Sequence, residues 1–192
     1  NDNYKFIDFT NALTKAYEIQ GSLCLGTSLN KLGYDHVFYV KIASGSVFSY
    51  LVNKGDANAI RRTVNNILLD GPSLRAYRHF PNVGKRKSWA AADASKRGIE
   101  LSIISSYQDE IYESVQNEDK WGFETNFLDN SELEFGKDLN NWVIQNVLFK
   151  VLFPAEFHGQ SAVEAAIMLS DEFNQNINCL LYTSDAADDG VG

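Results

Sequence analysis

Apolar residues recur every three to four positions along the first half of the chain, the period of a helix with one buried face. In FIDFTNALTKAYEIQ, Phe6, Phe9, Leu13 and Ala16 fall near one face. In HVFYVKIASGSVFSYLV the stripe is Val37, Val40, Ser44, Val47 and Leu51, with Gly55 as the stop. Asp56 is placed as an N-cap for ANAIRRTVNNILL, whose stripe is Ile60, Val64, Ile67 and Leu68, and Asp70-Gly71-Pro72 ends that helix. Ser88 is the predicted cap of WAAADASKRGIELSIIS, with Trp89, Ala92, Ile99 and Ile103 turned inward.

The period is lost after residue 106. Residues 107–141 are acidic and irregular, which predicts a long surface excursion with one apolar anchor at Trp121–Phe123. In WVIQNVLFKVLF the alternation of Val143, Gln145, Val147, Phe149, Val151 and Phe153 predicts a strand. Ser161-Ala162-Val163-Glu164 matches a capping box for a last helix, with Ala162, Ala165, Ala166, Leu169 and Phe173 as its apolar face. Glu156 and His158 then sit in the turn between strand and helix, beside the unpaired amides of a helix start.

Residues 179–192, CLLYTSDAADDGVG, share no pattern with what precedes them and resemble a translated sequencing adapter, an artefactual tail. Without its three aspartates the formal charge moves from −8 to −5. Cys24 is then the one cysteine left, so neither an internal disulfide nor a cysteine-built metal site is expected, and a reducing compartment fits. No run of apolar residues is long enough to span a membrane.

Within this acidic chain one segment is basic. Arg75, Arg78, Lys85, Arg86, Lys87, Lys96 and Arg97 lie between Pro72 and Gly98, seven of the chain's 17 Lys and Arg, against Asp93 alone. Arginine forks and a lysine point charge suit a carboxylate or phosphate partner, or else the acidic excursion itself. Nucleic acid fits less well, because the net charge is negative and aromatics do not interleave with the bases. The three histidines are His36, which follows Gly-Tyr-Asp at a helix start, His79 within the basic run, and His158 beside Glu156. A glutamate–histidine pair can serve as general base and acid near neutral pH. Gly-rich phosphate loops, G-x-S-x-G and zinc-type histidine spacing are missing.

Taken in order, KAYEIQGSLCL, LGYDHVFYVKIAS, DGPSLRAYRHFPNVGKRKSWAAADASKRG, WGF and NVLFKVLFPAEFHGQSAVEAAIML resemble the interior of the MmgE/PrpD family, from about residue 14 to about residue 173. Ala92 departs from the glycine expected after WAA. The resemblance implies a mainly α fold: a multihelical domain fragment (residues 1–140, including the excursion at 107–141) and the beginning of a smaller α/β lid domain (142–178). It implies an internal fragment, inactive alone, of a hydro-lyase that dehydrates 2-methylcitrate to 2-methyl-cis-aconitate in propionate catabolism through the methylcitrate cycle. A decarboxylase acting on cis-aconitate, from the same family, and a non-catalytic anion-binding module are the alternatives. Carried over residue by residue, the active-site positions fall at His36, at Lys87 and at Glu156 or His158. Arg75, Arg78, His79, Arg86 and Lys87 would counter the substrate's three carboxylates. The resemblance further implies no cofactor and no metal, a homodimer in the full-length protein, no nucleic-acid or membrane partner, and a bacterial cytoplasmic or mitochondrial matrix location.

Overall fold

The periodic half of the chain folds as four helices, α1 (Phe6–Gly26), α2 (Val37–Val52), α3 (Ala57–Asp70) and α4 (Arg86–Ser105). Three more follow, α5 (Phe123–Phe127), α6 (Trp142–Asn146) and α7 (Gln160–Phe173), with 3₁₀ turns at Leu29–Leu32, Ala76–Arg78 and Phe157–Gly159. The structure, a computed structural model, describes residues 4–148, 153 and 155–173, the side chains of 171–173 apart. Among the described residues there is no strand, only an isolated antiparallel bridge between Tyr34 and Leu74. The mainly α class read from the sequence therefore holds.

The bundle is built around α2, and its sequence explains why. Val37, Phe38, Tyr39, Ile42, Ala43 and Val47 point to several sides of one helix, and all are buried. A helix that is apolar all round must be covered all round. Helices α1, α3 and α4 supply the cover. Phe38, Tyr39 and Ile42 meet Leu23 of α1, Ile67 and Leu68 of α3 and Leu101 of α4 in one core. Each such side chain contributes about 1.5–3 kcal/mol by leaving water.

Two glycines set the approach of α2 and α4. A Cβ on Gly98 would lie 2.3 Å from the Lys41 carbonyl oxygen, and one on Gly45 would lie 2.8 Å from the Gly98 carbonyl oxygen. The backbones touch with no room for a methyl group. Gly98→Ala is expected to cost about 1–3 kcal/mol through overpacking, measured as a lowered midpoint of urea unfolding. Where helices begin and end, α3 follows its sequence signals. The Asp56 carboxylate accepts from the Asn58 amide at 2.9 Å, and Gly71 closes the helix at φ +66° with Phe127 against its Cα.

Several expectations are corrected. In α1 the inward residues are Ala12, Glu18, Ser22 and Leu23, whereas Phe6, Phe9 and Leu13 face outward. In α4 the buried line is Ala90, Ala94, Gly98, Leu101 and Ser105, while Trp89, Ala92 and Ile103 are exposed. Both helices have the right period and the wrong phase: close backbone approach selects the small residues of α4, and buried polar side chains select the inner face of α1. The departure at Ala92 touches no packing contact of the core, since that residue is exposed. Helix α4 starts two residues before Ser88, whose hydroxyl donates to the Lys85 carbonyl within the first turn.

The excursion is anchored by Phe123 and Leu128, both buried, and not by Trp121, which is 73% exposed. The Phe123 ring stacks on Phe38 with centroids 5.2 Å apart. The excursion then runs along α1: Gly136 N donates to the Ser22 carbonyl at 2.8 Å, and Glu134 N donates to Thr27 Oγ1 at 3.0 Å. Glu18, 3% exposed, takes the next turns. Its carboxylate accepts the backbone N–H groups of Asn140, Trp142 and Val143 at 3.1, 3.2 and 2.9 Å.

Those bonds stand at the start of α6, so residues 142–146 form a helical turn where alternation predicted strand. Val147, Leu148 and Phe153 of that predicted strand are not in a strand either, and 149–152 lie outside the described residues. The capping box at Ser161 is also corrected. The 3₁₀ turn Phe157–Gly159 leads directly into α7, so the backbone is already helical at Ser161. The capping role passes to Glu156, whose carboxylate accepts from His158 N at 2.7 Å. No helix among the described residues is long and apolar enough to cross a membrane.

Candidate active site

The site forms where the basic segment docks on the entrance to α2. Leaving α3 at Gly71, the chain returns past residues 33–36: Asp35 N donates to the Ser73 carbonyl and Arg75 N to the Gly33 carbonyl, each at 2.9 Å. These two bonds are the bridge at Tyr34 and Leu74. They bring the turn Ala76–Arg78 against Asp35, which is fully buried.

Asp35 is the hub. One oxygen accepts the Val37 amide at 3.1 Å, capping α2, and the other accepts Arg78 Nε at 2.7 Å and the Tyr77 hydroxyl. Burial alone would push this carboxyl up. The hydrogen bonds from Arg78, Tyr77 and Val37, together with the Arg78 charge, outweigh it and hold Asp35 below the usual aspartate range. Burial, and then the bond to Asp35, push the Tyr77 phenol up. Tyr77 in turn packs beside Val37 and Ala90, joining the first turns of α2 and α4.

On that frame the predicted residues can be placed. His36 stands at the N-cap of α2, half-exposed, with Nδ1 3.3 Å from Arg75 Nη1 and 3.4 Å from Asp35 Oδ1. Arg75 also donates to Asn30 Oδ1 at 3.1 Å. Arg78 is buried on Asp35. Arg86 lies over the rings of Tyr77 and Trp89 at 5.2 and 4.6 Å. Lys87 is half-buried in the first turn of α4, one turn before Ala90. His79 is exposed just beyond the turn. Thus Asp35 holds Arg78 by a hydrogen bond and lies 3.4 Å from His36, His36 meets Arg75, and Arg86 is attached by its stacking on Tyr77. Lys87 begins a helix that packs on the turn following His36.

Two small cavities flank this point. One, about 230 Å³, is lined by His36, Asn30, Thr27 and Tyr39, and another, about 310 Å³, by Lys41, Arg86, Asp93 and Arg97. Their charges are partly matched from within. Lys41 donates to Asp70 at 2.7 Å and to the Gly71 carbonyl at 2.8 Å, and Arg97 holds Asp70 at 2.8 Å. Among the described residues, ion pairs of the basic run reach Asp35, Asp70 and Glu100. A cleft of about 750 Å³ lies at the other end of α2, beside Tyr50 and Lys54. That is about 20 Å along the helix from His36, and none of the predicted site residues lines it.

Glu156 and His158 form their own pair. His158 Nδ1 lies 3.0 Å from Glu156 Oε1, and the side-chain bond from His158 holds the Glu156 carboxyl below its ordinary range. A carboxylate at Nδ1 favours the tautomer that carries its ring proton there and leaves Nε2 as the acceptor. No group of three or more His, Cys, Asp or Glu among the described residues is arranged to hold a metal. The chemistry on offer is that of cations, imidazoles and a carboxylate.

In the sequence Asp35 is marked only as the residue before His36 at a helix start and Asp70 only as part of a helix end, and no motif singles out Tyr77 or Lys41. Nothing local marks the 42 residues that separate Asp35 from Tyr77 as a contact.

Comparison with known proteins adds an independent line. Residues 3–136 match the MmgE/PrpD N-terminal domain. The chain is 42% identical over 161 residues, 84% of its length, to a protein of Escherichia coli K12 named 2-methylcitrate dehydratase. It is 38% identical over 172 residues, 90% of its length, to a mitochondrial 2-methylcitrate dehydratase of Yarrowia lipolytica. A 2-methylcitrate dehydratase-like protein of Aspergillus oryzae is 39% identical over 164 residues, 85% of the chain. The chain spans about a third of the length of these relatives.

Proposed function

The chain belongs to the MmgE/PrpD family, and on that premise we propose that it is part of a hydro-lyase that dehydrates 2-methylcitrate to 2-methyl-cis-aconitate, in propionate catabolism. The observation that carries this reading is the similarity of about 40% to proteins of that name over more than four fifths of the chain. The cationic, imidazole-bearing junction of α2 and α4 is the geometry that supports it.

The substrate is a tricarboxylate, and the reaction removes a proton beside a carboxylate while a hydroxyl departs as water. A base must take that proton. Cations and N–H groups must steady the negative charge that gathers as the C–H bond breaks. His158, with Glu156 on its Nδ1, suits the base. His36 and Lys87 suit the carboxylates, and Arg75, His79 and Arg86 supply further positive potential. Arg78, committed through Nε to Asp35, acts through its charge and through the loop it holds. No metal or organic cofactor is assigned a step. Residues 142–178 would begin the α/β lid, and the whole protein would act as a homodimer, in bacterial cytoplasm or the mitochondrial matrix.

The test is an assay of the full-length protein with 2-methylcitrate, following absorbance of the enediacid product. Turnover supports the reading. Release of carbon dioxide from cis-aconitate without dehydration would move the protein to the decarboxylases. Saturable binding of both tricarboxylates with no turnover would make it an anion-binding module.

A further inference from the structure

The contact between Arg75 and His36 decides which way the imidazole works. A guanidinium has only donors, so the His36 Nδ1 atom that meets Arg75 Nη1 at 3.3 Å must be an acceptor. Nη1 has two hydrogens, and both are committed: one to Asn30 Oδ1 at 3.1 Å, the other to His36 Nδ1. Asn30 therefore fixes the rotation of the guanidinium that addresses the ring.

A competing partner among the described residues is Asp35, whose Oδ1 lies 3.4 Å from the same Nδ1. A carboxylate there would draw the ring proton to Nδ1. Yet that oxygen already takes the Val37 amide, and the other takes Arg78 and Tyr77. With those donors on it, Asp35 is a weak rival to the aligned N–H of Arg75.

We propose that Arg75 is a positioning residue, which with Asn30 fixes His36 as the neutral Nε2–H tautomer, so that His36 meets the substrate as a hydrogen-bond donor and not as the base. The proposal rests on the hydro-lyase reading for its chemical meaning. A neutral imidazole N–H aimed at an oxygen that gains charge stabilises that charge without surrendering its proton. At His158 the partner of Nδ1 is instead a carboxylate. In the dehydration a separate base takes the α-proton, the C–H electron pair becomes the new C=C bond, and the hydroxyl leaves as water with the proton that base returns. His36 keeps its proton and holds a carboxylate oxygen throughout.

The test reads the tautomer directly and needs no substrate, so it stands or falls apart from the hydro-lyase reading. The full-length protein, ¹⁵N-labelled at histidine, is taken about two pH units above the ordinary imidazole value of about 6.5. His36→Gln assigns the His36 signals. We expect a pyrrole-type Nε2 and a pyridine-type Nδ1 for His36. In Arg75→Ala the proton should swap to Nδ1, where Asp35 can accept it. In Asn30→Ala, which leaves the Arg75 charge in place, the signals should move part of the way. The proposal is overturned by a Nδ1–H tautomer in the parent chain, or by the tautomer ratio of free histidine there. It is equally overturned by parent-like His36 signals in either variant. Should Arg75→Ala fail to fold, Asn30→Ala alone decides.

Discussion

Exchanging His158 for alanine in the full-length protein is expected to lower kcat/KM for 2-methylcitrate by roughly 10²–10⁴, the usual worth of a placed proton-transfer group. The same change at Lys87 should remove roughly 10²–10³, as losing one donor to a developing charge does. The two should differ in form. Without a base, kcat falls and KM stays near its parent value. Without a cation that also grips the ground-state carboxylate, kcat falls and KM rises. Glu156→Gln should follow His158→Ala in direction, because Glu156 sets the ring through the 3.0 Å contact to Nδ1. Initial rates by product absorbance measure all three. Near-normal turnover in both His158→Ala and Lys87→Ala would dismiss this assignment of roles.

Asp35→Ala is expected to cost about 3–5 kcal/mol of folding stability, the penalty for stranding a buried charge. It would leave Arg78, 9% exposed, without its carboxylate, and would free Tyr77 and the Val37 amide together. Chemical unfolding measures the loss. The acid limb of stability supplies a second reading. Asp35 is held below the ordinary aspartate value of about 3.9. A depressed carboxyl contributes stability that is complete above the unfolded value and fades as pH falls through the folded one. The parent should therefore lose stability as pH drops below about 4, and Asp35→Ala should lose less over the same interval. Equal slopes in parent and variant would show that Asp35 has no such linkage.

Much of the helical half was legible because period and punctuation agree. Asp56 caps α3 and Gly71 ends it where the sequence placed them. Phase was harder to read. A helix bearing Trp89 and Ile103 on one face and Ala90, Ala94 and Gly98 on another presents two plausible inner sides. Only the close approach of α2, at Gly45, selects the small one. In α1 the inner face carries Glu18 and Ser22, which look like solvent residues until the backbone they bind is known. The candidate site was legible as a composition, a basic run with histidines nearby. Its wiring was not, because Asp35, Tyr77 and Arg78 come together through a chain reversal that no short-range signal announces.

The grip of Glu18 has a practical consequence for anyone cutting this protein into pieces. Similarity to the N-terminal domain stops at residue 136, yet the carboxylate on α1 is satisfied by amides at 140, 142 and 143. Excision at residue 136 would strip a sequestered anion of all three donors and open the floor of α1. The natural seam for an expression boundary lies beyond Asn146, where α6 has finished its turn.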